Sequence, residues 1–273
     1  MKGLRPKIDA ASSFIREHGD IYPQIGIVLG SGLGGLSDHL TSKREIPYEQ
    51  IPHFPASTVE GHAGRLLLGR LGGKAVVLMD GRFHYYEGYS PMELTLPIRV
   101  MKALGVTTLV VTNAAGALNP KFSVGDIVMI TDHINMQFDN PLRGINDNEL
   151  GPRFPDMYKC YDEDLRALAL KAAIDGKIYL RQGVYVAVSG PMLETGAEYR
   201  SLRSIGADLV GMSSVPEVIV ARHQGTKVLG FSIVTNAGHE AKGEEFSHQN
   251  VLAVASKSGS ILAELIKRIF ECL

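Results

Sequence analysis

Cysteine is scarce in this chain. Its 273 residues include two, Cys160 and Cys272, with no Cys-x-x-Cys and no Cys/His spacing of the kind that holds zinc. A disulfide framework and a structural zinc are therefore not expected, and the scarcity fits a reducing compartment. An excess of one charge is also missing, since 28 basic residues face 29 acidic ones for a net charge of −1. Nothing builds the basic field that a phosphate backbone needs, so nucleic acid is not an expected partner, although a few local groups can still hold a small anion. No stretch reaches the ~18 uninterrupted apolar residues of a membrane helix. Met1–Phe14 is mixed and polar, without the apolar run and small-residue cleavage site of a secretory signal. The expectation is a cytoplasmic protein without a membrane partner. Repeats, low-complexity tracts and a Pro/Gly/Ser linker between halves are absent too, which predicts a single domain over 1–273.

What is present is an ordinary globular composition, 45% hydrophobic and 21% charged. The 30 glycines exceed the roughly 7% average share and predict tight turns and close backbone approaches. Short apolar, β-branched runs at Gln24–Leu29, Leu66–Leu68, Ala75–Met79, Thr107–Val111, Ile127–Thr131, Gly183–Val188, Ala207–Val210 and Lys227–Val234 read as buried strands. Leu71-Gly72-Gly73-Lys74 reads as a hairpin turn. Helical periodicity marks Leu4–His18, Pro91–Leu104, Asp162–Asp175, Gly196–Ile205, Pro216–Gln224 and Ser247–Phe270. The last presents Val251, Val254, Ile261, Leu262, Leu265, Ile266 and Ile269 as its apolar face. Alternating strands and helices predict an α/β fold, a mixed, largely parallel central β-sheet flanked by helices. Ligands gather at the carboxyl ends of strands in such folds. Ser31, Arg82, Asn113, Ser213 and Asn236 each follow an apolar run.

Each motif has a simple reading beside a functional one. Gly30-Ser31-Gly32-Leu33-Gly34-Gly35 follows a strand and enters a helix. A dinucleotide fingerprint needs an acidic residue ending the next strand about 20 residues on. Glu49 has that spacing, but it lies among Pro47, Pro52 and no apolar run, which argues against a central strand. What remains is a loop that holds a free anion at a helix N-terminus, or a plain strand–helix turn. Around Asp80–Tyr89, Arg82 can grip two oxygens of a phosphate, His84 can add a donor oriented by Glu87, and Tyr86 offers a ring and a hydroxyl. Packing of an aromatic loop is the alternative. His62, in the glycine-flanked turn Glu60–Arg65, reads by itself more often as a surface or structural histidine. Asn113 and Asn236 can serve a ligand or close a turn. Glu194 can bind a ligand or supply a helix N-terminal charge, and Ser213 or Ser214 can simply cap a helix.

The order of these segments is more specific than any of them. GSGLGG, GHAGRL, GRFHYYEGY, VTNAAGALNPKFSVGDI, DHIN, NPLRG, RFPDMY, GPMLET, VGMSSVPEVIVARH and TNAG follow one another from about Gly26 to Val251. In this the chain closely resembles the trimeric, 6-oxopurine-selective purine nucleoside phosphorylases. The resemblance implies phosphorolysis of inosine- and guanosine-type (deoxy)ribonucleosides to a free base and α-(deoxy)ribose 1-phosphate. Inorganic phosphate would be the co-substrate, with no cofactor and no metal, in a homotrimer. By the same resemblance Ser31, His62, Arg82, His84, Asn113, Ala114 and Ser213 bind phosphate. Tyr86, Met212 and His248 hold the ribose, joined by Phe154 from a neighbouring subunit. Leu193, Glu194 and Asn236 hold the base, and His84, Glu194 and Asn236 carry the catalytic roles. The related methylthioadenosine phosphorylases have Asp where Asn236 stands and Ser where Glu194 stands. The mammalian members have an aromatic residue at Leu193 and a lysine at Ala237, and this chain departs from both groups at those points.

Overall fold

The computed structural model describes residues 3–56, 63–237 and 248–273, with the side chain of His248 set aside. Nine strands of these described residues make one sheet: β1 (Ile25–Val28), β2 (Thr41–Pro47), β3 (Arg65–Leu71), β4 (Lys74–Asp80), β5 (Thr108–Ala117), β6 (Ile127–Met136), β7 (Leu180–Val188), β8 (Leu209–Gly211) and β9 (Lys227–Ala237). Their order is β2-β3-β4-β1-β5-β8-β7-β6-β9, and β9 also pairs with β5, so five strands close on themselves. The middle strands β4, β1, β5 and β9 run parallel. Antiparallel pairs lie at β2–β3, β3–β4, β5–β8 and β6–β9. The result is the mixed α/β sheet that the alternating pattern predicts.

Among the described residues seven α-helices accompany it: α1 (Leu4–Glu17), α2 (Pro91–Leu94), α3 (Leu96–Leu104), α4 (Glu163–Asp175), α5 (Gly196–Ser204), α6 (Val215–His223) and α7 (His248–Cys272). Leu4, Ile8, Ala11 and Ile15 of α1 join α3 and α6 over one side of the sheet. α4 and α7 cover the other through Leu165, Ala169, Leu262, Leu265, Ile266 and Ile269. Each set recurs at helical spacing and turns one stripe to the sheet. None of the described helices is long and apolar enough to cross a membrane.

Four expectations change. The segment 43–52 contains an unexpected strand, β2, whose residues 41–45 are exposed. It is the sheet's edge, where Pro47 is tolerated because one side of the strand needs no ladder donors. The single helix expected over Pro91–Leu104 is two, because Pro97 lacks the N–H that would bond back across the junction, and Thr95 Oγ1 instead donates to the Pro91 carbonyl at 2.6 Å. On α7, Ile261 is 48% exposed, while Ala255 and Ser258 take the buried stripe. The glycine loop leads into a six-residue 3-10 turn, Gly34–His39, and not an α-helix, so a helix-terminus anion site is not what it forms. The hairpin is as expected: Leu71 pairs with Lys74 across Gly72 and Gly73, both at positive φ.

Candidate active site

Strand lengths create the cleft. β1 ends at Val28 opposite Val111, while β5 continues to Ala117 still paired with β9. The edge of β5 just beyond Val111 is thus vacated until β8 joins at Gly116, and the glycine loop meets it at Thr112 and Asn113. The Gly30 N–H donates to Thr112 Oγ1 at 3.2 Å, whose own hydroxyl donates to the Val28 carbonyl at 3.1 Å. A Cβ on Gly30 would stand 2.7 Å from Asn113 Cα, so only glycine lets the loop backbone come this close to β5 at Asn113. Asn113 and Asn236 lie within extended strands, not in the turns that the simple reading required.

Arg82 follows β4 and is 1% exposed. Its Nη1 donates to Ser213 Oγ and to Ser214 Oγ, each at 2.8 Å, and Asn113 Nδ2 donates to the same Ser214 oxygen at 2.9 Å. Neither serine side chain caps α6. A hydroxyl has two acceptor lone pairs and one proton. Ser214 Oγ therefore has both lone pairs occupied and must donate, and Ser213 Oγ stands 3.5 Å away. Ser213 Oγ thus receives from Arg82 and lies between Ser214 and the Tyr185 hydroxyl. Sequence reasoning assigned Ser213 and overlooked Ser214 as the bridge. The legible signal was the Ser213-Ser214 pair itself. Ser214 holds its place at φ 65° and ψ −41°, a strained backbone for a non-glycine residue.

Beside Arg82, His84 Nδ1 lies 2.9 Å from Glu87 Oε1, and the His84 backbone N–H donates to that oxygen at 2.7 Å. The acid thus orients the imidazole as anticipated. Tyr86 stacks on His84 with ring centroids 4.7 Å apart. Burial and the adjacent Glu87 push the Tyr86 hydroxyl up to about 12, so it stays a neutral hydrogen-bonding group. His62 lies outside the described residues. His248 opens α7, and its side chain is likewise outside them.

The other end is built on β5, β9 and α5. Asn236 Nδ2 donates to the Tyr199 hydroxyl at 3.3 Å, and Thr235 Oγ1 donates to Asn236 Oδ1 at 3.2 Å. The amide is therefore held with its nitrogen facing Tyr199. A Cβ on Gly116 would fall 3.0 Å from Asn236 Nδ2 and 3.2 Å from the Tyr199 oxygen, so the small residues of β5 make room for the neighbouring strand and helix. Burial raises the Tyr199 hydroxyl to about 12, helped by the charge of Glu194. Burial also raises Glu194 above the usual carboxylate range. Glu194 is not the helix N-terminal charge, because Thr195 and Glu198 form that capping box. Leu193 beside it is 40% exposed. Met212 packs on Gly190, where a Cβ would collide with its sulfur.

One predicted site residue lies apart. Phe154 is 87% exposed, with the Arg153 guanidinium 5.7 Å from its ring and no described contact with the residues above. An apolar hollow of about 560 Å³ beside α1 and α2 is lined by Leu4, Phe54, Tyr89 and Met92, and it contains none of these groups. Cys160, 3.8 Å from His133 Nδ1, is no nucleophile. Burial lifts the thiol to about 12 and depresses the imidazole to about 4, leaving both neutral.

The phosphorylase superfamily model matches residues 24–271. Purine nucleoside phosphorylase 1 of Bacillus subtilis is 51% identical over 97% of this chain and 98% of its own. The Rattus norvegicus purine nucleoside phosphorylase is 49% identical over 96% and 93%. This chain is a member of the purine nucleoside phosphorylase family. Among solved phosphorylases, the Schistosoma mansoni enzyme in complex with adenosine superposes with a TM-score of 0.94 at 42% identity, over 98% of this chain and 97% of that one. The same enzyme in complex with inosine gives 0.93. The phosphorylase fold therefore sets the cleft described above, with an arginine–serine–asparagine cluster at one end and a carboxylate with an asparagine at the other.

Proposed function

We propose that this chain cleaves 6-oxopurine nucleosides with inorganic phosphate, giving the free base and α-ribose 1-phosphate, with no cofactor. The observation that carries the proposal is the spacing on β5. Asn113 belongs to the Arg82–Ser213–Ser214 cluster, and Gly116 pairs with Asn236. Three residues of extended strand span ~10 Å, room for a sugar between an oxyanion and a base. Inosine was bound by the Schistosoma mansoni relative.

In the reaction a phosphate oxygen forms a bond to C1′ as the C1′–N9 bond breaks, and the bonding pair leaves with the purine. Negative charge thus moves from phosphate toward the base. Arg82, Ser31, Ser213, Asn113 with the Ala114 N–H, and His62 and His84 supply donors for the phosphate. Asn236 retains an N–H to donate to N7 as it gains charge. Such preorganised donors work without reorganising during the reaction. Glu194, when ionised, accepts from the N1–H of a 6-oxopurine and confronts the lone pair of adenine N1, a mismatch that polar sites reject strongly. Leu193 faces the base, Tyr86, Met212 and His248 attend the ribose, and Phe154 completes a neighbour's sugar site in a homotrimer.

The raised carboxyl of Glu194 supports a second activity at low pH. Once protonated it donates to adenine N1, and adenosine becomes a substrate. The direct test measures base release from inosine and adenosine, each with and without phosphate, at neutral pH. Release from inosine that requires phosphate is expected, and phosphate-independent release would identify a hydrolase instead.

A further inference from the structure

The phosphate end contains a carboxylate that the proposed chemistry does not use. Glu217, in the first turn of α6, is 3% exposed. Its Oε1 pairs with Arg82 Nε at 3.5 Å, and its Oε2 accepts no hydrogen bond from the described residues. One segment thus supplies three contacts to a single guanidinium: Ser213 and Ser214 at Nη1 and Glu217 at Nε. A buried, half-satisfied carboxylate is costly to keep. It is stranger still beside a site for an anion, because it repels what the site is built to bind.

Given the phosphate role of Arg82 argued above, we propose that Glu217 is a positioning residue that orients Arg82 and weakens ground-state phosphate binding to the advantage of the transition state. The argument is one of charge. Phosphate arrives as an anion and loses negative charge to the base as the glycosidic bond breaks. Repulsion from Glu217 is greatest before reaction and relaxes during it. An interaction that destabilises the bound substrate more than the transition state raises kcat. A purely structural ion pair has no such signature.

The sign of the effect separates the two. In Glu217→Gln the shape is retained and the charge is lost. The phosphate KM and the inhibition constant of sulfate should both fall, by about five- to fiftyfold for a charge at this range in a buried site. kcat should fall with them, and the inosine KM should stay nearly constant. A rise in phosphate KM and sulfate inhibition constant, or no change in either, overturns the proposal. Should Glu217→Gln not fold, the comparison moves to Glu217→Asp, which keeps the acid and draws its charge back by one methylene. The phosphate KM and the sulfate inhibition constant should then fall by a smaller factor, and a rise or no change in either overturns the proposal. Arg82→Lys tests the reading beneath. It loses the planar fork and should raise the phosphate KM but not the inosine KM. If the phosphate KM does not move, Arg82 is not in the cradle.

Discussion

Replacing Asn236 by aspartate changes one atom group at the base end. The amide sits between two hydroxyls, Thr235 Oγ1 on its oxygen and the Tyr199 oxygen on its nitrogen. A carboxylate fits the same space, and the Tyr199 hydroxyl can turn its proton to donate, so folding should survive. The donor to N7 does not survive. Loss of one preorganised donor to developing charge costs about 10²–10³ in kcat, or roughly 2.7–4 kcal/mol, and inosine turnover should fall by that factor. For adenosine the change works the other way. One carboxyl oxygen accepts from the 6-amino group, and the other, when protonated, donates to N7. The 6-oxo group presents lone pairs to the same oxygen and is repelled. The adenosine-to-inosine ratio of kcat/KM should therefore rise by at least the inosine loss. The assay is release of hypoxanthine and adenine at saturating phosphate, with thermal unfolding measured beside it. An unchanged ratio, with inosine kcat within a factor of about three of the parent, would remove Asn236 from the base site.

Three further outcomes are expected. Gly116→Ala places a Cβ 3.0 Å from Asn236 Nδ2. Misplacing that amide should lower kcat on the order of 10²-fold with phosphate KM unchanged, and a fully active variant would show that the base end tolerates the shift. Adenosine turnover should increase relative to inosine as pH falls. Burial raises the Glu194 pKa, so its neutral, N1-donating form is populated at a higher pH than for an exposed glutamate, and the charged form dominates above that pKa. Glu194→Gln, which cannot titrate, should flatten the pH dependence of the ratio, and a persisting slope would assign it elsewhere. Phe154→Ala should raise the nucleoside KM about tenfold, the size of a contact worth ~1.4 kcal/mol. It should leave unfolding unaltered because the side chain is 87% exposed within its own chain. A KM that stays put, or a fully active monomer, contradicts a shared site.

Part of the candidate site's geometry was readable from the sequence, and the reason is local. Arg82, His84 and Glu87 sit within six residues, so the histidine–glutamate contact at 2.9 Å is set by one short turn. Strand interiors were readable for a similar reason, since short β-branched runs have few other places to go. Strand ends were not. Asn113 and Asn236 looked like turn residues, yet both belong to ladders, because β5 and β9 pair with each other beyond the point where β1 stops.

The sequence by itself determined the α/β class, the hairpin at Gly72-Gly73, and which polar groups were available for an anion and a base. These follow from periodicity, backbone freedom and side-chain chemistry, which act over a few residues. Tertiary structure alone decided that Ser214 bridges Arg82 and Asn113, that Tyr199 holds Asn236, and that Glu217 stands against the guanidinium. Those partners are separated by 132 and 101 positions for Ser214 and 37 for Tyr199, and no local rule specifies them. They meet because parallel strands of unequal length end at one cleft. There most buried polar groups find partners that only the folded chain supplies.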